Sequence, residues 1–462
     1  MRFTSHIGSC LVVGLLPLAL LQGCEQNTQA NADTKSPVAS QMLGHVSQFD
    51  NGVIIHFDKA LPSGARALRL AVIDEDIVRV TAMTSDNFSA LPHSIMLAKN
   101  AQQKQAKFTT EQDANLFKVK TAKVTAEVSL IDGKVSFINA KGETVLSEAS
   151  RDFSAVTADP ITPDDDAYAI RQQWNKNTDE GFFGLGQQQD GHINYAGENV
   201  ELTTYNLEIA IPFVVSTRNY GVLWDNNSVT QFGDPKKAHS LEQDFTLYDA
   251  DGKKGGLTAE YYDGDKLLLT RVENNVDYQF LANNSVREHA FPEELGDVNA
   301  PKVVWSGYIE PNKSGVHKFK MYSSGYAKLS INNDELLDRW RMNWNPWYHN
   351  TQVELTQGER APITIEWDSQ GGYFNLLHSD PQPKAEQYSL SFASETAKAI
   401  DYYFVAGDDT DDVISGYREL TGKSVMLPKW VYGFWQSRER YQSRRSYRYY
   451  RQTYGSTALP KS

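Results

Sequence analysis

Cysteine is nearly absent: the 462 residues hold two, Cys10 and Cys24. Cys10 lies inside an expected signal peptide, so the mature chain keeps one thiol and can form neither a disulfide within the chain nor a Cys-based metal site. Positive charge is also short. Forty-five Lys and Arg face 58 Asp and Glu, for a net charge of −13, which argues against nucleic acid as a partner and against electrostatic docking on anionic lipid. No apolar run is long enough to span a bilayer, which takes about 20 residues. No amphipathic helix of any length stands before residue 400, and no internal repeat is visible. The ten histidines show no metal-ligand spacing, and neither His-Glu-x-x-His nor a phosphate-cradling glycine loop occurs. No cofactor and no metal are expected.

What is present begins at the N-terminus. Arg2 supplies a positive start, Leu11 to Leu21 an apolar stretch, and Leu21-Gln22-Gly23-Cys24 resembles a bacterial lipobox. Residues 1–23 read as a lipoprotein signal peptide and Cys24 as the lipidated N-terminus, so the expected membrane contact is through the lipid anchor alone. Glu25, standing where Asp would retain the protein at the inner membrane, points to the outer membrane of a bacterial envelope. Residues 24–40, rich in Asn, Gln, Thr, Ala and Ser, read as a flexible tether.

From residue 41 the pattern is short β-prone runs cut by turn residues: Gly52 to Phe57, Ala67 to Val72, and Val128 to Ile131 turning through Asp132-Gly133 into Val135 to Phe137. Alternation at this spacing predicts a mainly β chain, an antiparallel β-sandwich. At Gly255-Gly256 the texture changes. Five of the nine Trp then follow, at 305, 340, 344, 347 and 367. Strand-like runs stand on both sides, Asp244 to Tyr248 before and Tyr388 to Phe392 after, so residues 256–384 read as a domain inserted into the sandwich (41–255 and 385–420). The acid runs Asp164 to Asp166, Asp408-Asp409 and Asp411-Asp412 read as solvated loop or helix-start acids. Met426 to Trp435 is nearly continuous apolar sequence, as in a strand buried on both faces.

Three segments together resemble glycoside hydrolase family 31: Gly181 to Gly186; Tyr205-Asn206 with Ile211-Pro212-Phe213 and Tyr220 to Asn226; and Tyr417 to Glu439, including Leu427-Pro428-Lys429-Trp430. The insert resembles a PA14 domain through Leu257 to Tyr262, Val304 to Ile309, Gly315 to Phe319, Leu329 to Asn332 and Ile363 to Trp367. The pairing is similar to bacterial α-xylosidases that act on xyloglucan fragments. It implies a galactose-mutarotase-like sandwich, a PA14 β-domain, and at 421–443 the first strand of an incomplete (β/α)8 barrel. Where PA14 adhesins place adjacent calcium-binding aspartates, this chain has Ser323-Ser324-Gly325, which lacks the hard carboxylate ligands.

The resemblance further implies a retaining α-glycosidase, which needs two carboxyl groups about 5–5.5 Å apart at the ends of later barrel strands. Too few residues follow Pro428 for a barrel of about 250, so no catalytic residue is assigned and the chain itself is expected to be inactive. Residues 444–462 form a basic tail without an apolar period where the family has an acid-headed helix, consistent with a frameshift near Ser443. Oligosaccharide contacts are expected from Trp340, Trp344, Trp347 and Tyr348 in the insert, as stacking rings or as packing within it. Trp435, Gln436 and Arg438 after the barrel strand are expected to line the sugar pocket of the complete enzyme. The loop Gln187 to Glu198 reads as a surface hairpin or a pocket contact. A stand-alone glycan-binding lipoprotein, or a PA14 adhesin module, is the alternative reading. No oligomeric state follows from the sequence.

Overall fold

The computed structural model describes residues 43–454, apart from 100–105, 157–166, 176, 178, 205–207, 234–237, 279–290, 299, 382–389 and 436–439. The signal peptide, Cys24 and the tether lie outside the described residues. So do Gln436 and Arg438.

Two antiparallel sheets form the sandwich. The first runs, in spatial order, Leu43–Phe49, Gly52–Phe57, Ala67–Asp74, Ile77–Met83, Ile400–Ala406, Tyr220–Trp224, Ile209–Ser216 and Phe182–Gln187. The second runs Asn199–Leu202, Thr230–Gly233, Leu390–Ala397, Tyr168–Trp174 and Thr144–Ala155, then a meander back to Thr109–Gln112. Period-two sequence explains the layering. In Val124–Ser129, the apolar Val124, Ala126 and Val128 are buried and the alternate residues are less so. The Asp132-Gly133 turn closes the expected hairpin, pairing Val128 with Val135.

Ile400–Ala406 is buried on both faces. Ile400, Tyr402 and Phe404 enter the core between the sheets, while Tyr403 and Val405 meet a helix, Thr410–Thr421, laid across the outside. That helix starts where the Asp409 carboxylate accepts the Asp412 N–H at 2.9 Å, and Asp411 and Asp412 suit its positive end. These paired acids are a cap and not a reaction centre.

Thr230–Gly233 and Leu390–Ala397 are direct neighbours in one sheet, yet the chain between them builds a second β-domain with its own core. Trp305 and Trp367 are fully buried there, Trp305 stacked on Phe374 and Trp367 tilted against it. The insert starts earlier than the sequence indicated. Phe245–Tyr248, expected in the sandwich, pairs with Lys302–Pro311 of the insert, and His239–Ser240 pairs with Leu377 and His378. A strand reads alike on either side of a domain boundary, and only its distant partner assigns it.

The barrel lead-in also differs. Met426 to Trp435 is not a buried strand: Lys429–Tyr432 make one 3₁₀ turn, with Met426 87% and Trp435 65% exposed. A parallel strand takes its ladder and both apolar faces from neighbours, and none exists for it among the described residues. Arg444–Tyr454 is an exposed helix, capped where the Ser446 N–H donates to Ser443 Oγ at 3.1 Å and free of Gly and Pro through its length. Among the described residues no helix is long and apolar enough to cross a membrane.

Candidate functional site

The insert's aromatic residues are set by one hairpin and one long-range strand pair. Asn332 and Asn333, both at positive φ, turn Gly325–Ile331 into Asp334–Arg341, since short amide side chains tolerate that backbone. The register places Tyr326 opposite Trp340, with ring centroids 6.1 Å apart and both faces exposed. Trp344 stands in the following loop, 74% exposed. Trp347–Leu355 then runs beside Gly315–Ser323, setting Tyr348 against Tyr322 at 4.9 Å, with Lys320 Nζ 4.1 Å from the Tyr348 ring centre.

The four expected sugar-contacting rings therefore divide. Trp340 and Trp344 offer faces to solvent, whereas Trp347 and Tyr348 are half-buried at the seam with the sandwich. At that seam Arg341 Nη1 donates to Gln189 Oε1 at 2.8 Å, and Lys318 Nζ reaches Gly197 O at 2.7 Å and Glu198 Oε1 at 2.8 Å. The Trp347 side chain hydrogen-bonds to Glu208, which also accepts the Gln189 N–H at 3.0 Å. Burial pushes the Glu208 carboxyl above its usual range, and burial lowers the Lys320 ammonium. The loop Gln187 to Glu198 is thus neither a free hairpin nor, within this chain, a pocket wall. It holds the insert against the sandwich.

Buried polar atoms stand in the same part of the insert. Ser323 Oγ, Asn343 Oδ1, Asn345 Nδ2 and Ser369 Oγ are buried without a protein partner. Gly372 packs so closely that a Cβ there would stand 2.1 Å from Ser324 Oγ and 2.9 Å from Asn343 Oδ1. Nearby, His349 Nε2 is also buried and unpartnered; burial, then Arg339 and Arg341, push its pKa down to about 4. Neutral donors and acceptors beside flat apolar rings suit a polyhydroxylated ligand, which offers both a CH face and hydroxyls.

Trp435 is 65% exposed, its ring centroid 5.8 Å from that of Trp430. Gln436 and Arg438 lie outside the described residues. Sequence reasoning missed one constellation entirely. His317 and His378, 61 positions apart, meet at 2.9 Å in the insert's core with Asp380 beside them. Spacing could not reveal this, because strand pairing alone joins Gly315–Ser323 to Phe374–Ser379.

Residues 67–232 match the glycosyl hydrolase 31 N-terminal galactose mutarotase-like domain, and residues 253–395 match the PA14 domain. The chain thus carries a region like the galactose mutarotase-like N-terminal domain of glycosyl hydrolase 31 enzymes, together with a PA14 domain. The crystal structure of a family 31 α-xylosidase from Xanthomonas citri superposes with a TM-score of 0.76 at 41% identity, over 88% of this chain and 44% of that one. An α-xylosidase of Saccharolobus solfataricus is 63% identical over 49 residues, 11% of this chain and 7% of that protein. An α-glucosidase 2 of Bacillus thermoamyloliquefaciens is 37% identical over 117 residues, 24% and 14% of the two chains. The chain spans less than half the length of each of these relatives.

Proposed function

We propose that this chain is the carbohydrate-contacting N-terminal portion of a retaining α-glycoside hydrolase of α-xylosidase type, acting on xyloglucan-type oligosaccharides. The observation that carries the reading is the pairing of exposed indole faces at Trp340 and Trp344 with the unpartnered buried polar atoms of Ser323, Asn343, Asn345 and Ser369. Likeness over most of the chain to an α-xylosidase of known structure supports that ligand class. In this reading the insert receives distal sugars, and the paired carboxyl groups of the reaction belong to a barrel that the described residues do not include. Cys24 carries the lipid that holds the protein at the outer membrane of a bacterial envelope.

Calorimetric titration with a xyloglucan oligosaccharide tests the contact. Trp344→Ala should weaken binding about tenfold, equivalent to about 1.4 kcal/mol. Because Trp344 is mostly exposed, its loss should leave the unfolding midpoint unchanged. Equal affinity in wild type and variant, or no binding by either, would remove the proposal.

A further inference from the structure

The two histidines in the insert's core are held by their outer nitrogens. His317 Nε2 lies 3.0 Å from the Lys313 carbonyl oxygen, which can only accept, so the proton sits on Nε2 and the lone pair on Nδ1. His378 Nδ1 lies 2.9 Å from Asp244 Oδ2. A carboxylate there also accepts, which puts the His378 proton on Nδ1 and the lone pair on Nε2. The inner nitrogens, His317 Nδ1 and His378 Nε2, are 2.9 Å apart. Two lone pairs at that distance repel unless something cationic lies between or beside them. Both rings are fully buried.

We infer that His317 Nδ1, His378 Nε2 and the Asp380 carboxylate form a binding site for a divalent transition-metal ion of the zinc class. The ligand atoms of these three residues lie within 4.8 Å of one another. A tetrahedral site with Zn–N bonds of about 2.05 Å asks for nitrogens about 3.3 Å apart, a small opening from the present separation. The outer contacts match what metal-binding imidazoles require: one ring braced by a backbone carbonyl, the other by a carboxylate. Nitrogen and mixed nitrogen–oxygen donors select zinc-like ions over calcium or magnesium. Asp244 and Asp380 together balance a double positive charge. Lys313 Nζ, now 2.9 Å from Asp380 Oδ2, is mostly exposed and can withdraw into water.

The location suggests the purpose. Asp244 closes the short helix Leu241–Asp244 at the entrance of the insert, and His378 and Asp380 stand at its exit. His317 lies on Gly315–Ser323, the strand that pairs with Phe374–Ser379. The ion would tie together both crossings between insert and sandwich, acting as a structural staple and not as a reaction centre.

The test uses the full chain, stripped with EDTA and dialysed against ZnCl₂ or CoCl₂. One ion per chain should remain after dialysis, and Co²⁺ should give the visible absorption of a four-coordinate site. EDTA should lower the melting temperature of the insert, and Zn²⁺ should restore it. His378→Asn should abolish retention, while Asp244→Asn, which only braces a ligand, should weaken it about 10- to 100-fold. Failure of the wild-type chain to retain either ion, or undiminished retention by His378→Asn, would overturn the inference. The wild-type cobalt spectrum keeps the test decisive if a variant does not fold. Sugar binding need not enter it, so its failure is separate from failure of the glycan reading.

Discussion

Asp225 is a second carboxylate on a guanidinium already committed elsewhere. Arg79 grips Asp401 through Nε at 2.8 Å and Nη2 at 2.5 Å, while Asp225 Oδ2 is 3.9 Å from the same Nη2. Asp225 Oδ1 accepts the Ser94 hydroxyl at 2.8 Å. Burial first, then the Asp401 charge, push its pKa from 3.8 up to about 6. An acid with a raised pKa binds its proton more tightly in the folded protein. Its stabilising contribution is present in full below the unfolded value near 3.8 and is lost as pH rises through about 6. At about 1.36 kcal/mol per unit, ionised Asp225 costs the fold about 3 kcal/mol at neutral pH. Asp225→Asn keeps an acceptor for Ser94 and removes the charge. Urea unfolding of both proteins from pH 4 to pH 8 should show the variant gaining about 2–3 kcal/mol relative to wild type, with the gain appearing between pH 4 and 6.5. Comparing variant with wild type cancels transitions common to both. A pH-independent difference would refute the reasoning, as would a variant that gains only at low pH.

Two further outcomes follow from the same fold. A Cβ at Gly416 would stand 2.4 Å from Val405 Cγ1. Gly416→Ala should therefore destabilise the sandwich by about 1–2 kcal/mol in urea unfolding, overpacking outweighing the ~1 kcal/mol of helix propensity gained; a stabilised variant would show that the helix does not lie on Ile400–Ala406. Replacing Met426, Trp430 and Phe434, all exposed, by Ser should reduce concentration-dependent scattering while shifting stability by less than about 0.5 kcal/mol. Unchanged scattering would mean that this apolar run is not a sticking surface.

The sandwich was legible because its strands alternate with period two, so Gly52–Phe57 and the Asp132-Gly133 hairpin stand where the sequence puts them. The inserted domain was legible as a change in texture. Its edge was not, since Phe245–Tyr248 carries no mark of which sheet it joins. Met426 to Trp435 misled for a related reason: an apolar run specifies burial only where neighbours supply the surface. At the site, residue type announced aromatic contacts but not orientation. Register turned Trp340 outward beside Tyr326, while Trp347 turned toward Glu208. The His317–His378 pair was invisible for the deepest reason, being made wholly by tertiary pairing of two strands.

In the proposed reading, Trp340 and Trp344 meet an α-linked oligosaccharide, and the paired carboxyl groups that cut it are not among the described residues. Release of nitrophenol from an aryl α-xyloside by the purified 462-residue protein measures this directly. The expected rate is no greater than that of buffer alone; sustained turnover, removed by no contaminant-specific inhibitor and co-eluting with the chain, would contradict the proposed reading.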